Sequence, residues 1–496
     1  MSRILLINPN RWGRGITSLW IPSHSATLKQ RGHQVSLFDA TFYRDWALNE
    51  TGYNTANLQY KPSDYRQRVQ FADIPVAEAL QTAVDAFDPD IIFWSAISSQ
   101  LHGEGEYANL EYGYRLVEQV NIPDRTQLIV SGLQPTADPT LTEKRFPKVS
   151  YLIRGESEQL LADIADRFND TSAIRLLPGV CFRQDGELKV NQQQGLLVLA
   201  NLPAYDYSLF DSQVFLRPYN GRTLRAADFE FSRGCPYTCT YCVETVIQGY
   251  YGFTESAGKG VLKGAKDYLR AKAPENIIAE MEWLHEVRGV TLFRSQDTNF
   301  LSIDRGVLTA VAEEIERRNW DIQIYIETRP DGINSTTVKL LNRLHVDGVG
   351  MGIELAAEGF REAHLNRFSP MERITNAFRV LREAGIKRTA YNIIGLPEQD
   401  EAMILSTIRF NQSIDPDNIT VAFCSPFLGT KLQHRGVEIK DFDDYEYNVD
   451  AQLRTLSKST GVSKELLEFY KANFVRLARE GLENLASIKK EAGIAA

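Results

Sequence analysis

Three cysteines fall within eight residues, Cys235-Pro-Tyr-Thr-Cys239-Thr-Tyr-Cys242. A closed structural zinc site takes four protein ligands. A cubane iron–sulfur cluster is usually capped by four thiolates. Three thiolates around such a cluster leave one iron open, and an open iron can bind and activate a ligand. A zinc reading needs a fourth ligand brought from afar, because no further Cys or His lies close by in sequence. Of the two remaining cysteines, Cys181 reads as a small buried hydrophobe, and Cys424 either packs in the same way or faces a cavity.

Elements on both sides must position this loop. A chain of 496 residues is too long for one ordinary core and implies two or three domains. Hydrophobic residues at 43% and charged residues at 24% match a soluble globular protein. The net charge of −9 is spread without a basic block, which excludes an obvious nucleic-acid face. No stretch approaches the about 20 apolar residues of a membrane span, and the apolar run after Met1 is too short for a signal peptide. Five cysteines, three of them clustered, argue against a disulfide framework and for the cytoplasm.

The N-terminal third alternates short apolar runs with helical segments. Ile4–Ile7, Val35–Phe38, Ile91–Ala96, Leu128–Val130 and Tyr151–Ile153 read as buried parallel strands. Residues 1–168 are therefore expected to form a doubly wound, Rossmann- or flavodoxin-like sheet domain. Ligands in such sheets sit at the carboxyl ends of the strands. Those ends carry Ser95 and Ser98, then Ser131-Gly132-Leu133, then Gly155-Glu156 within Arg154-Gly-Glu-Ser-Glu158. Small and hydroxylic residues let a bulky ligand approach the backbone; ordinary turns between strand and helix have the same composition.

Residues 169–225 read as an irregular linker. From 226 to 434 six strand–helix units recur: strands at Phe229–Ser232, Val290–Phe293, Ile322–Ile326, Gly348–Ile353, Thr389–Ile394 and Ile419–Phe423, with helices near 275–287, 304–319, 335–344, 370–384 and 399–413. They point to a partial TIM-type (β/α)6 barrel with chemistry at the carboxyl ends of its strands. Polar residues gather there: Asp297 and Asn299, Glu327 and Arg329, Glu354, and Gly395 with Glu398. Gly348 to Gly352 lie inside a strand, where glycine marks close approach rather than a phosphate cradle. Ser369-Pro-Met-Glu372 reads as a capping box. Glu280 reads as a surface position of its helix. Residues 435–496 are helical, with Leu467, Tyr470, Phe474 and Leu477 on one face, and are expected to cap the barrel.

The Cys235-x3-Cys239-x2-Cys242 loop resembles that of the radical S-adenosylmethionine (SAM) superfamily. The run Ser131-Gly-Leu-Gln-Pro-Thr136 followed by Arg154-Gly-Glu-Ser-Glu158 looks like the cobalamin-binding domain of the cobalamin-dependent members, with Ser131 and Gln134 departing from the family's Gly and His. The resemblance implies a [4Fe–4S] cluster on Cys235, Cys239 and Cys242, SAM on the open iron, and cobalamin over the barrel mouth. It places Tyr241 and the Gly395 motif against adenine, Asp297 and Asn299 near the methionine moiety, and Glu354 at the ribose, with Glu327 a further cofactor-binding candidate at its strand end. Ser95, Ser98, Ser131, Gly132, Leu133, Gly155 and Glu156 become the cobalamin contacts, with no histidine expected on cobalt. The implied activity is methyl transfer to an unactivated carbon, or to phosphorus, of a small-molecule or peptide substrate, started by a 5′-deoxyadenosyl radical and fed by a donor such as flavodoxin or ferredoxin. A cyclase or ring-rearranging enzyme on the same frame, and a non-catalytic corrinoid or iron–sulfur carrier, are the rival readings.

Overall fold

The computed structural model describes residues 1–95, 106–424, 427–432 and 461–494. Ser98 lies outside them. In the first of two seven-stranded sheets, β1 (Arg3–Asn8), β2 (Gln34–Asp39), β3 (Ile91–Ser95), β4 (Gln127–Ser131) and β5 (Tyr151–Ile153) run parallel in the order 2-1-3-4-5. This is the flavodoxin-like order, whose switch point between β1 and β3 is where such sheets take ligands. The apolar runs mark strands covered on both faces: no residue of Ile4–Ile7 or Ile91–Trp94 is more than 1% exposed.

The segment expected to be a linker carries structure. β6 (Val180–Gln184) and β7 (Glu187–Val190) extend the first sheet as an antiparallel hairpin beside β5. Asp185-Gly186 turns the hairpin with φ of +54° and +83°, the left-handed pair of a two-residue type I′ turn. Asn220-Gly221, at +49° and +82°, does the same between β8 (Leu216–Tyr219) and β9 (Arg222–Phe229). Both hairpins are short and half-solvated, so their polar residues mask the strand pattern.

In the second sheet β9, β10 (Leu292–Ser295), β11 (Gln323–Thr328), β12 (Val346–Glu354), β13 (Lys387–Ile394) and β14 (Asn418–Phe423) pair parallel in chain order, and β8 adds an antiparallel edge. Helices Pro274–Arg288, Arg305–Arg318, Ser335–Arg343, Met371–Glu383 and Glu401–Ile414 alternate with the strands as the sequence predicts, giving a curled half-barrel. Two local expectations change. The capping box does not form: the helix at Met371 follows Pro370 without a side-chain cap. Ser369 Oγ instead accepts from Arg329 at 2.9 Å and donates to Asp331 at 2.7 Å. Glu280 is 2% exposed and faces inward, accepting from Lys272 and from the Tyr205 amide at 2.8 Å.

Helices Lys464–Glu480 and Leu485–Glu491 pack on β14 and helix Glu401–Ile414 through Leu467, Tyr470, Phe474, Ile404 and Val421. Val421 is capped along the strand: Lys471 Nζ donates to its carbonyl, and its amide donates to Gln59 at 3.2 Å. An edge strand is thereby closed to further pairing.

Candidate functional site

The cysteine loop is fastened at its entrance. Asp297, 3% exposed, accepts from Ser232 N and Ser232 Oγ, each at 2.6 Å, from Phe231 N at 3.1 Å and from Ser295 Oγ at 2.7 Å. Burial pushes its carboxyl up to about 6. Both oxygens thus tie the end of β10 to the chain entering the loop. Gly234 adopts φ +102°, and a Cβ there would lie 3.0 Å from the carbonyl of Tyr268. Gln248 donates to the carbonyls of Cys235 and Tyr237 at 2.9 and 3.0 Å. Thr238 N donates to Gly260 at 2.9 Å. Thr240 N donates to Leu365 at 3.1 Å, and its carbonyl accepts from Leu432 N at 2.9 Å. Four distant segments of chain therefore set the path of eight residues.

Cys235 and Cys239 are 8% and 6% exposed, and Cys242 is half-buried. Burial pushes the Cys235 and Cys242 thiols above the ordinary range. Among the described residues no three His, Cys, Asp or Glu side chains are arranged for a single metal ion. The irons of a cubane occupy separate corners, so its thiolates stand wider apart than the ligands of one ion, and an all-sulfur set on one loop suits that cluster. Arg329 supplies a cation, with Nη1 3.7 Å from Cys239 Sγ and its guanidinium 3.8 Å from the centre of the Tyr237 ring.

On one side of the loop Tyr241 OH donates to Glu354 at 2.9 Å, and Arg367 donates to the same hydroxyl at 3.3 Å. Glu354 ends β12 at φ +63°, a left-handed conformation that costs a non-glycine residue energy and is held by its surroundings. Tyr241 packs with Leu355, Leu396 and the buried Cys424. Gly395, at φ +78°, donates its amide to Gln399 at 2.6 Å. The structure therefore brings Tyr241, Glu354 and the Gly395 turn to one wall. Asn299 ties β10 to β11, accepting from Thr328 Oγ1 at 2.6 Å and Arg329 N at 3.1 Å. Glu327 stands apart from that wall, inside the half-barrel, accepting from Tyr391 OH at 2.9 Å.

On the other side lies the first sheet. Ser131 Oγ is 2.7 Å from Ser95 Oγ and 2.9 Å from Ser157 Oγ, which is 2.9 Å from His24 Nε2. Gly132 adopts φ +133° before helix Leu133–Ala137. Leu133, Gly155 and Glu156, expected at the corrinoid, also meet the barrel. Leu133 packs on Val243, Val246 and Leu428. A Cβ on Gly155, at φ +78°, would lie 2.6 Å from the rim of Tyr250 and from the Tyr251 hydroxyl. Glu156 accepts from Arg233 at 3.1 Å and Arg270 at 2.6 Å. The carboxyl end of β5 faces the cysteine loop, so these residues form the seam between the sheets.

Arg233, two residues before the first cysteine, is the centre of that seam. It also donates to Glu158 at 2.6 Å, Glu230 at 2.9 Å and Tyr205 OH at 2.9 Å. Burial alone would raise the Glu158 carboxyl, but the charges of Arg233 and then His24 outweigh it and hold Glu158 down to about 2. Sequence reasoning missed Arg233 and Arg367, because most of their partners, Glu230 apart, lie far away in the chain.

Residues 229–410 match the model of the Radical SAM superfamily. A protein of Pyrococcus horikoshii named an uncharacterized methyltransferase is 22% identical over 352 residues, 70% of either chain. An anaerobic magnesium-protoporphyrin IX monomethyl ester cyclase of Synechocystis is 23% identical over 330 residues, 65% of this chain and 62% of its own, so the chain spans less than two thirds of that enzyme. Among solved structures, the radical S-adenosylmethionine methyltransferase TsrM of Kitasatospora setae, with cobalamin and a [4Fe–4S] cluster bound, aligns over 88% of this chain and 76% of its own, at 16% identity and a TM-score of 0.61. Residues 229–410, with the three-cysteine loop and the half-barrel, thus match the Radical SAM superfamily, and the chain as a whole shares the two-sheet fold of that cobalamin-bound methyltransferase, flavodoxin-ordered N-terminal sheet included.

Proposed function

We propose that this enzyme is a cobalamin-dependent radical SAM methyltransferase acting on carbon, or phosphorus, of a small-molecule or peptide substrate. It would work in the cytoplasm with flavodoxin or ferredoxin as electron donor; among the described residues no helix is long and apolar enough to cross a membrane. The observation that carries the reading is the seam: the strand ends of a 2-1-3-4-5 sheet are locked by Arg233 directly against the cysteine loop. Cys235, Cys239 and Cys242 would hold the cluster, Tyr241, Glu354 and Gly395 would line SAM, and Ser95, Ser98, Ser131 and Gly132 would meet the corrinoid. When bound, these groups supply radical initiation and a methyl group. The chain itself fixes their spacing. Asp297 and Asn299 hold the strand ends that carry the loop, Arg329 answers thiolate charge, and the Arg233 network keeps the two halves in register.

The test uses the full chain, reconstituted anaerobically with cluster and cobalamin, reduced, and given SAM labelled in its methyl group. The expected result is release of 5′-deoxyadenosine together with label on the corrinoid or product. SAM cleavage without transfer of label sinks the methyltransferase reading and favours a cyclase-type reaction, which the cyclase likeness supports. A protein that binds both cofactors and never cleaves SAM is a carrier. Cys239→Ala is expected to lose the cluster's visible absorbance and all cleavage.

A further inference from the structure

The interior of a closed (β/α)8 barrel is filled with layers of side chains. This half-barrel leaves part of its inner face accessible. Arg294, Glu327, Tyr391 and Thr420 on the inner face are partly exposed, whereas the next positions on the same strands, Phe293, Ile326, Asn392 and Val421, are at most 2% exposed. β12 gives the inner face glycines. A Cβ on Gly350 would lie 2.6 Å from the Tyr325 hydroxyl and 2.7 Å from that of Tyr391. Those two hydroxyls are themselves 2.7 Å apart.

Arg294 stands in this layer, beside Asp228 on β9 and Tyr325 on β11. Its guanidinium is 5.8 Å from the Tyr325 ring centre. Asp228 is the nearest candidate counter-ion in the ladder, but its carboxylate accepts from Thr17 N at 3.0 Å, Gln296 at 2.7 Å and Arg217. Among the described residues no hydrogen bond or ion pair engages Arg294. Burial works against the Arg294 charge, but the charge of Asp228 outweighs it and holds the guanidinium above its ordinary pKa; what it lacks among the described residues is an acceptor for its N–H donors, which are costly to leave unmet.

We propose that Arg294, on the inner face of the half-barrel, anchors an oxyanion of the substrate, a carboxylate or a phosphate. A guanidinium offers two parallel N–H donors that match either group. The word substrate rests on the radical SAM reading; the anion site does not.

Phenylglyoxal labelling of the full-length, cluster-loaded protein, read by peptide mass spectrometry, tests the site without a mutation. Arg294 is expected to label, and either inorganic phosphate or acetate is expected to slow that labelling. Protection by phosphate alone assigns a phosphorylated substrate, by acetate alone a carboxylate, and by both the shared chemistry. An Arg294 that does not label, or that labels at a rate neither anion changes, overturns the proposal. Calorimetric titration with the protecting anion should show affinity falling about tenfold or more in Arg294→Gln, and an unchanged affinity also overturns it. Neither readout needs SAM to be cleaved, so a failure here is distinct from a failure of the methyltransferase reading.

Discussion

Two arginines on the strands around the cysteine loop meet opposite fates. Arg233 touches three carboxylates and a tyrosine hydroxyl. Arg294 sits beside one carboxylate whose oxygens already serve Thr17, Gln296 and Arg217. The residue type is the same, but Arg233 is buried and Arg294 is partly exposed. Both have a carboxylate nearby. The difference is whether the protein supplies hydrogen-bond acceptors. Where it does, the arginine holds two sheets together. Where it does not, the donors are left for something that arrives.

The largest effect that could break this contrast is on stability. Arg233→Met strands three buried carboxylates and is expected to cost about 3–5 kcal/mol, read as a lower urea midpoint of the full chain. Arg294→Met in the same assay should stay within about 1 kcal/mol of the parent. Equal losses would put both arginines in the same class. Next comes pH. Glu158 is held to about 2 against an ordinary 4.5, because Arg233 and His24 outweigh burial. The stabilisation is fully present above pH 4.5 and is lost as the pH falls from there through about 2, for a total of about 3 kcal/mol. Melting temperature scanned across that window should show the loss in the parent and not in Arg233→Met. Gly155→Val tests the aromatic part of the seam: its Cβ would lie 2.6 Å from Tyr250 and Tyr251 at φ +78°, a cost of about 1–3 kcal/mol. The smallest effect belongs to the inner face of the half-barrel. A Cβ in Gly350→Ala would lie 2.5 Å from Tyr391 Cε2 and 2.6 Å from the Tyr325 hydroxyl, at a cost of about 1 kcal/mol, while slowing phenylglyoxal at Arg294 by narrowing the space before it.

The sequence showed the parts whose signal is local. Buried parallel strands announce themselves as apolar runs, and three thiols in eight residues are visible without any structure. Asp185-Gly186 and Asn220-Gly221 are strong short hairpin signals too, but the first joins short, largely exposed strands and the second opens a strand whose first half is polar. Glu156 and Asp297 were noticed for their position at strand ends, yet their oxygens face protein donors, which position alone does not reveal. Arg294 escaped altogether. Its signal was a charged residue at an inner position of an apolar strand, Leu292-Phe-Arg-Ser295; its meaning depends on Asp228 being taken by residues as remote as Thr17.

The path of the cysteine loop has a consequence in time. Thr240, midway between two of the thiols, is pinned through its amide to Leu365 and through its carbonyl to Leu432. A ribosome that has just finished the third cysteine has made neither partner. The loop reaches its final shape only when some 190 further residues have emerged, so insertion of the iron–sulfur cluster is a late event in the life of the nascent chain, one that waits on nearly the whole barrel.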